Sequence, residues 1–255
     1  MTDPLRRRFA ASAAMMAEQT ERAAPRLAAR LRAFCELDGS ERALDAGTGT
    51  GTFALALAPS VAEVVGVDPV PEVLAEARRL AGATANVTFR EGDATALPFD
   101  AEGFDLAVCS RTLHHVARPE LVIAELTRVT RPGGKILLVD QLASLDPLEA
   151  LAHDRIERLR DASHTRTLSD QDVRGLLDAN WLVLRRSQVD REDRDLDRFL
   201  DLAACEGPGR QAVMDAVERL VARGEHAGID LRKTGSGYAM TVSVGWYLAV
   251  KPRAT

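Results

Sequence analysis

The run Leu44-Asp45-Ala46-Gly47-Thr48-Gly49-Thr50-Gly51 places three glycines at alternate positions behind an acidic residue. Glycine adopts backbone angles closed to other residues and has no side chain, so such a run lets the backbone close on a bound molecule. It lies between a short apolar strand signal, Arg42-Ala43-Leu44, and a helix-like segment from Phe53 to Ala58. Strand, glycine turn and helix N-terminus in that order make a site of nucleotide size. A dinucleotide fingerprint, G-x-G-x-x-G, needs its third glycine three positions after the second. Here that position is Thr52 and the glycine comes at Gly51. Asp45 has no role against an anionic pyrophosphate, but it suits a cationic ligand.

Proton chemistry has its own candidates. His114 and His115, in Thr112-Leu113-His114-His115-Val116, fall just past a strand signal, and His164 lies in Arg160-Asp161-Ala162-Ser163-His164-Thr165-Arg166. Imidazole titrates in the range a general base requires. Each of these histidines equally fits a hydrogen-bonded structural role.

The elements that must position these groups follow from periodicity. Val61 to Val67 is nearly continuous in apolar residues, as a buried parallel strand requires. Pro71 to Leu80 is a helix with proline in its first turn. Val87 to Arg90, Phe104 to Cys109 and Lys135 to Asp140 give further strands, with a helix from Pro119 to Thr130 ending at Arg131-Pro132-Gly133-Gly134. This alternation predicts a doubly wound α/β fold. Before it, Phe9 to Leu37 reads as helix, broken or restarted near Pro25. After it come helices over Asp146 to Arg160 and Ser169 to Ala179, the latter with Ser169 as N-cap and Asp172 three residues on, then a strand near Trp181 to Val189. Arg191 to Thr234 is charged and largely helical, with an apolar stripe of Val213, Val217, Leu220 and Val221 and Gly224 as a stop. Tyr238 to Val250 alternates as a last strand at a sheet edge.

Composition sets bounds. The 255 residues are 46% hydrophobic, enough for one large core with insertions. A net charge of -5 with no long Lys/Arg run argues against a nucleic-acid partner. Three widely spaced cysteines, Cys35, Cys109 and Cys205, indicate neither a disulfide framework nor a zinc site and fit a reducing cytoplasm. Arg6-Arg7-Arg8 followed by an alanine-rich stretch superficially mimics an export signal. It runs straight into Glu18-Gln19-Thr20-Glu21-Arg22, which suits an amphipathic helix instead. No stretch is long enough to span a membrane.

Over residues 40 to 141 the chain resembles the class I S-adenosylmethionine-dependent methyltransferases, in particular the small-molecule, quinone-biosynthesis-like (type 11) branch. The segments that carry the resemblance, in order, are Leu44 to Gly51, Val67-Asp68, Glu91-Gly92-Asp93-Ala94-Thr95-Ala96-Leu97-Pro98-Phe99, and Arg131-Pro132-Gly133-Gly134-Lys135. The resemblance implies a Rossmann-like, mostly parallel seven-stranded sheet with an antiparallel last strand and helical cap insertions. It also implies S-adenosyl-L-methionine as cofactor and a small-molecule acceptor methylated at O, C or N. The turn of Gly47, Thr48, Gly49 and Gly51 would pass under the methionine part, with Asp45 near its ammonium. Asp68, followed by Pro69, would take the ribose hydroxyls and Asp93 the adenine amino group, with the Ala94 amide facing the ring. Ser110 and Arg111 would lie beside the cofactor, and His114 would face the acceptor as the favoured base.

Read this way, the chain is one domain with a cap helix over 1–37, a cofactor-binding core over 40–141 and cap insertions over 142–168 and 191–234. Arg155, Arg158 and Arg160, interleaved with Asp154, Glu157 and Asp161, read as solvated ion pairs rather than an anion site. Cys109 lacks the preceding proline of a pyrimidine C5-methylating nucleophile, and Cys109-Ser110-Arg111-Thr112 lacks the signature of enzymes acting on DNA amino groups. Alternatives are a protein that binds the cofactor without methylating, as a cyclase or scaffold, and a nicotinamide-dependent oxidoreductase. Thr52 and the absence of a Tyr-x-x-x-Lys pair disfavour the latter.

Overall fold

Alternate residues of the first strand bury toward different neighbours: Ala43 joins one hydrophobic cluster and Leu44 and Ala46 another, so the sheet has a core on each face. The structure, a computed structural model, describes residues 4–253. In chain order it contains α1 (Pro4–Cys35), β1 (Arg42–Ala46), α2 (Thr52–Leu57), β2 (Glu63–Asp68), α3 (Pro71–Ala81), β3 (Val87–Glu91), β4 (Phe104–Ser110), α4 (Pro119–Val129), β5 (Thr130–Leu142), α5 (Pro147–Arg160), α6 (Asp170–Ala179), β6 (Val183–Asp195), α7 (Leu196–Asp201), α8 (Gly207–Ala222), β7 (Arg232–Lys233) and β8 (Tyr238–Val250). The strand order is β3-β2-β1-β4-β5-β8-β6, with the short β7 also on β8. Strands β1 to β5 pair in parallel, and β8 runs antiparallel to both β5 and β6. This is the doubly wound sheet with an antiparallel last strand that the sequence led us to expect.

One core layer joins Leu31 and Phe34 of α1, Phe53 and Leu57 of α2 and Val213 and Val217 of α8 to that face of the sheet. The other joins Val122, Ile123 and Leu126 of α4 and Val173 and Leu177 of α6 to the opposite face. The late helices start where polar caps place them. Asp146 accepts from the Leu148 and Glu149 amides ahead of α5, and Ser169 and Asp172 form a reciprocal capping box ahead of α6.

Four expectations are corrected. Helix α1 runs through Pro25 without a break, because that residue and Glu21, whose carbonyl loses its partner, are exposed and water can serve the freed group. Strand β6 continues to Asp195, so Arg191 to Asp195 is strand rather than helix. The exposed Arg191 and Asp193 alternate with the half-buried Glu192 and Arg194, a period of two that Arg191–Asp230 and Arg232–Asp193 pairs satisfy on the solvent side. Strand β8 lies inside the sheet, and β6 forms the edge. Strand β5 begins at Thr130, taking in Arg131 to Gly134, which were read as a helix-ending turn. Among the described residues no helix is long and apolar enough to cross a membrane.

Candidate functional site

The carboxyl ends of β1, β2, β4 and β5 meet at one edge of the sheet, where open α/β sheets bind ligands. Past β1 the chain turns tightly: the Gly47 and Thr48 amides both donate to the Val67 carbonyl, at 2.8 and 2.9 Å, locking the turn onto the end of β2. Gly47, Gly49 and Gly51 have φ of +74, +54 and +86, angles that side-chain-bearing residues rarely adopt. A Cβ at Gly47 would stand 2.3 Å from Thr112 Oγ1, so the turn also needs glycine for space.

Asp45 is 1% exposed. Its Oδ2 accepts from Thr48 Oγ1 (2.7 Å) and from the Ala54 amide in the first turn of α2 (3.0 Å), whereas its buried Oδ1 has no partner. Asp68 accepts from the Gly49 amide on Oδ2 (2.9 Å) and from the Val70 amide on Oδ1 (3.0 Å), which ties the glycine turn to the end of β2. Burial pushes both carboxyls up to about 6 despite these bonds. The next residue, Pro69, is exposed. Asp93 is exposed after β3, with Oδ1 taken by the Thr95 amide and hydroxyl, and Ala94 behind it is buried. Ser110 ends β4 half-buried, and its carbonyl accepts from Thr112 Oγ1 (2.9 Å). The Arg111 side chain reaches Glu192 of β6, with Nη2 at 2.8 and 3.0 Å from its two oxygens.

His114 lies in a short 3-10 turn, 7% exposed, with Nδ1 2.6 Å from Asp140 Oδ1. Asp140, at the end of β5, also accepts from the Leu113 amide (3.0 Å) and the Gln141 amide (2.8 Å). An ionised carboxylate only accepts, so this contact places a ring proton on Nδ1. Among the described residues His114 Nε2 makes no hydrogen bond. Burial opposes ionisation of Asp140, but His114 first and Arg111 further down hold its carboxyl below the ordinary value.

Around this dyad gathers a polar cluster holding four of the chain's five histidines, His114, His153 and His164 buried and His115 half-buried. The His115 ring centroid is 4.2 Å and that of His164 5.8 Å from His114, and burial together with His114 lowers the His115 pKa. His164 Nε2 meets Asp154 Oδ1 at 3.0 Å, and His153 Nε2 lies 3.5 Å from Glu157 Oε1. Helix α1 closes the cluster from the other side. Arg8 Nε donates to Asp161 Oδ2 (2.6 Å), Phe9 meets His115 edge to face, and Thr20 bonds Thr50 and Thr52 at the far end of the glycine turn.

The solvated reading of the α5 arginines fails for Arg160. Its side chain is 8% exposed, stacked on Phe199 and paired with the fully buried Glu157, whose carboxyl Arg160 holds well below its usual range against the effect of burial. Arg158, half-exposed, pairs with Asp154, which is itself buried. Cys109 is buried and burial raises its thiol far above neutrality, so it is no thiolate nucleophile. Asp140 was missed as a site residue, although its place at the carboxyl end of a predicted strand was the available signal. Arg8 carried only the superficial export-signal likeness of Arg6-Arg7-Arg8, which gave no pointer to its buried partner Asp161.

Residues 44–138 match the family described as methyltransferase domain. Uncharacterized methyltransferase YcgJ of Bacillus subtilis is 36% identical over 155 residues, 60% of this chain and 61% of that protein. The demethylmenaquinone methyltransferase of Clavibacter sepedonicus is 39% identical over 126 residues, 49% of this chain and 51% of that protein. The matched stretches thus span less than two thirds of either curated relative. The crystal structure of the Bacillus YcgJ protein superposes with a TM-score of 0.80 at 25% identity, covering 89% of this chain and 98% of that one.

Proposed function

We propose that this chain, whose residues 44–138 match the methyltransferase-domain family, transfers a methyl group from S-adenosylmethionine to a small organic acceptor. The observation that carries the reading is the glycine turn held between two buried carboxyls, Asp45 through Thr48 and Asp68 through Gly49. The residues fit the cofactor. Asp45 offers an unpartnered buried Oδ1 to an ammonium. Each Asp68 oxygen accepts one amide and keeps a lone pair for a ribose hydroxyl, and Asp93 keeps Oδ2 for an adenine amino group. When bound, the cofactor supplies a methyl group already activated on its sulfonium.

What remains for the protein is to align the acceptor, exclude water and take its proton. His114 Nε2 accepts that proton, and Asp140 holds the ring and stabilises the imidazolium that forms. The demethylmenaquinone methyltransferase among the relatives favours a small-molecule acceptor. Three cysteines kept as buried thiols favour a cytoplasmic setting.

Mass-spectrometric detection of S-adenosylhomocysteine, formed from S-adenosylmethionine on adding an acceptor, tests the reading. Asp140→Asn keeps the shape but favours the wrong tautomer, and should lower turnover by about 10²- to 10⁴-fold with cofactor affinity intact. Cofactor binding without any S-adenosylhomocysteine formation would leave a non-methylating binder instead.

A further inference from the structure

We propose that Arg111 and Arg194 form a carboxylate seat next to the His114–Asp140 dyad, and that an acceptor bearing a carboxylate binds there in place of Glu192. The proposal rests on the methyl-transfer reading of the same site. Arg111 is the first residue past β4, its amide bonded to the Val139 carbonyl (2.7 Å) beside Asp140, and its φ is +49. A positive φ is an unfavourable backbone conformation for a residue with a long side chain. That backbone sends the guanidinium to Glu192, a partner 37% exposed against 46% for Arg111 itself. An ion pair this exposed contributes too little to account for the strained turn by itself.

Arg194 Nη2 also donates to Glu192 Oε2, at 3.0 Å, so two guanidinium groups share one carboxylate. Neither uses the two-nitrogen fork that gives the strongest carboxylate recognition. Each donates through Nη2 alone, and the Nε and Nη1 atoms of both donate to no group among the described residues. The other anions facing this spot are engaged: Glu157 with Arg160, and Asp140 with His114. Arg194 is 17% exposed, and burial together with Arg111 lowers its pKa, a strain that a second anion relieves. Glu192 therefore reads as an internal stand-in for the carboxylate of a ligand that can take both forks. The chemical class this selects is a small organic acid with a proton-bearing acceptor atom beside its carboxylate-carrying frame.

The test uses the full chain saturated with S-adenosylhomocysteine and titrates benzoate and benzamide by calorimetry. Benzoate should bind at least about ten-fold tighter than benzamide, lose about ten-fold or more in Arg194→Gln, and tighten in Glu192→Gln, where the internal competitor is gone. Equal binding of the two probes, or no benzoate binding even in Glu192→Gln, overturns the proposal. The same experiment reads the cofactor's own carboxylate as the other source of this chemistry. If benzoate competes with S-adenosylhomocysteine and Arg194→Gln weakens the latter ten-fold, the seat belongs to the cofactor and the acceptor assignment is wrong. Failure of S-adenosylhomocysteine to bind at all would instead remove the methyl-transfer reading, while the benzoate arm stays readable without it.

Discussion

Asp45 and Asp68 are both buried, and both hold their protons up to about 6 rather than the ordinary 3.8. The folded state therefore binds more protons than the unfolded chain between those values. The two groups contribute stability below about pH 4 and lose it as the pH rises through about 6. An ammonium placed against Asp45 Oδ1 reverses that preference, since it favours the ionised form. S-adenosylhomocysteine, which keeps the ammonium, should thus expel protons on binding near about pH 5, and its affinity should rise across this window. Titrations in buffers of different ionisation enthalpy report the proton count directly, and net uptake would contradict the role given to Asp45. Asp45 was legible in the sequence from its spacing to the glycines, and Asp68 from the family resemblance, at the end of the second strand. What the sequence could not show is that Thr48 and the Ala54 amide occupy one oxygen of Asp45 and leave the other alone. That follows from three-dimensional packing of the turn. The dyad was half legible: His114 stood out as a titratable group past a strand, whereas Asp140 is adjacent only through the pairing of β4 with β5.

At the level of elements, the strands and helices from Arg42 to Asp140 were readable because each buries a continuous apolar run or a regular stripe between turn residues. The charged stretch beyond Asp190 misled, since alternation of Arg and Asp on a strand resembles a solvated helix until β8 is seen to supply the ladder through Ala239. Pro25 misled for the opposite reason, since a solvent-facing proline costs α1 only groups that water can satisfy. The Ser169–Asp172 box was read correctly because its chemistry is local. It starts α6, whose Val173 and Leu177 fill the layer beneath α4. Ser169→Ala should lower stability by about 1 kcal/mol, seen as a drop of roughly 2–4 °C in the thermal midpoint, with cofactor binding unchanged. An unaltered midpoint would show that packing alone fixes that helix start.

Across the whole molecule, one edge of a single sheet brings together a glycine turn, a buried histidine–aspartate dyad and a paired-arginine seat. Helix α1 spans the first two, touching the turn through Thr20 and the polar cluster around the dyad through Arg8 and Phe9. The sequence resemblance covered the turn and its strands, while helix α1 and the buried ion pairs of α5 lie outside the segments that carry it. Their roles come from which elements the fold makes neighbours. The central claim, that the turn and Asp68 hold S-adenosylmethionine, is tested most directly by calorimetric titration of S-adenosylhomocysteine into the wild-type chain and into Asp68→Ala. The account predicts saturable binding at one site per chain, weakened by about ten-fold or more in the variant. No heat with the wild type, or equal affinity for both proteins, would contradict it.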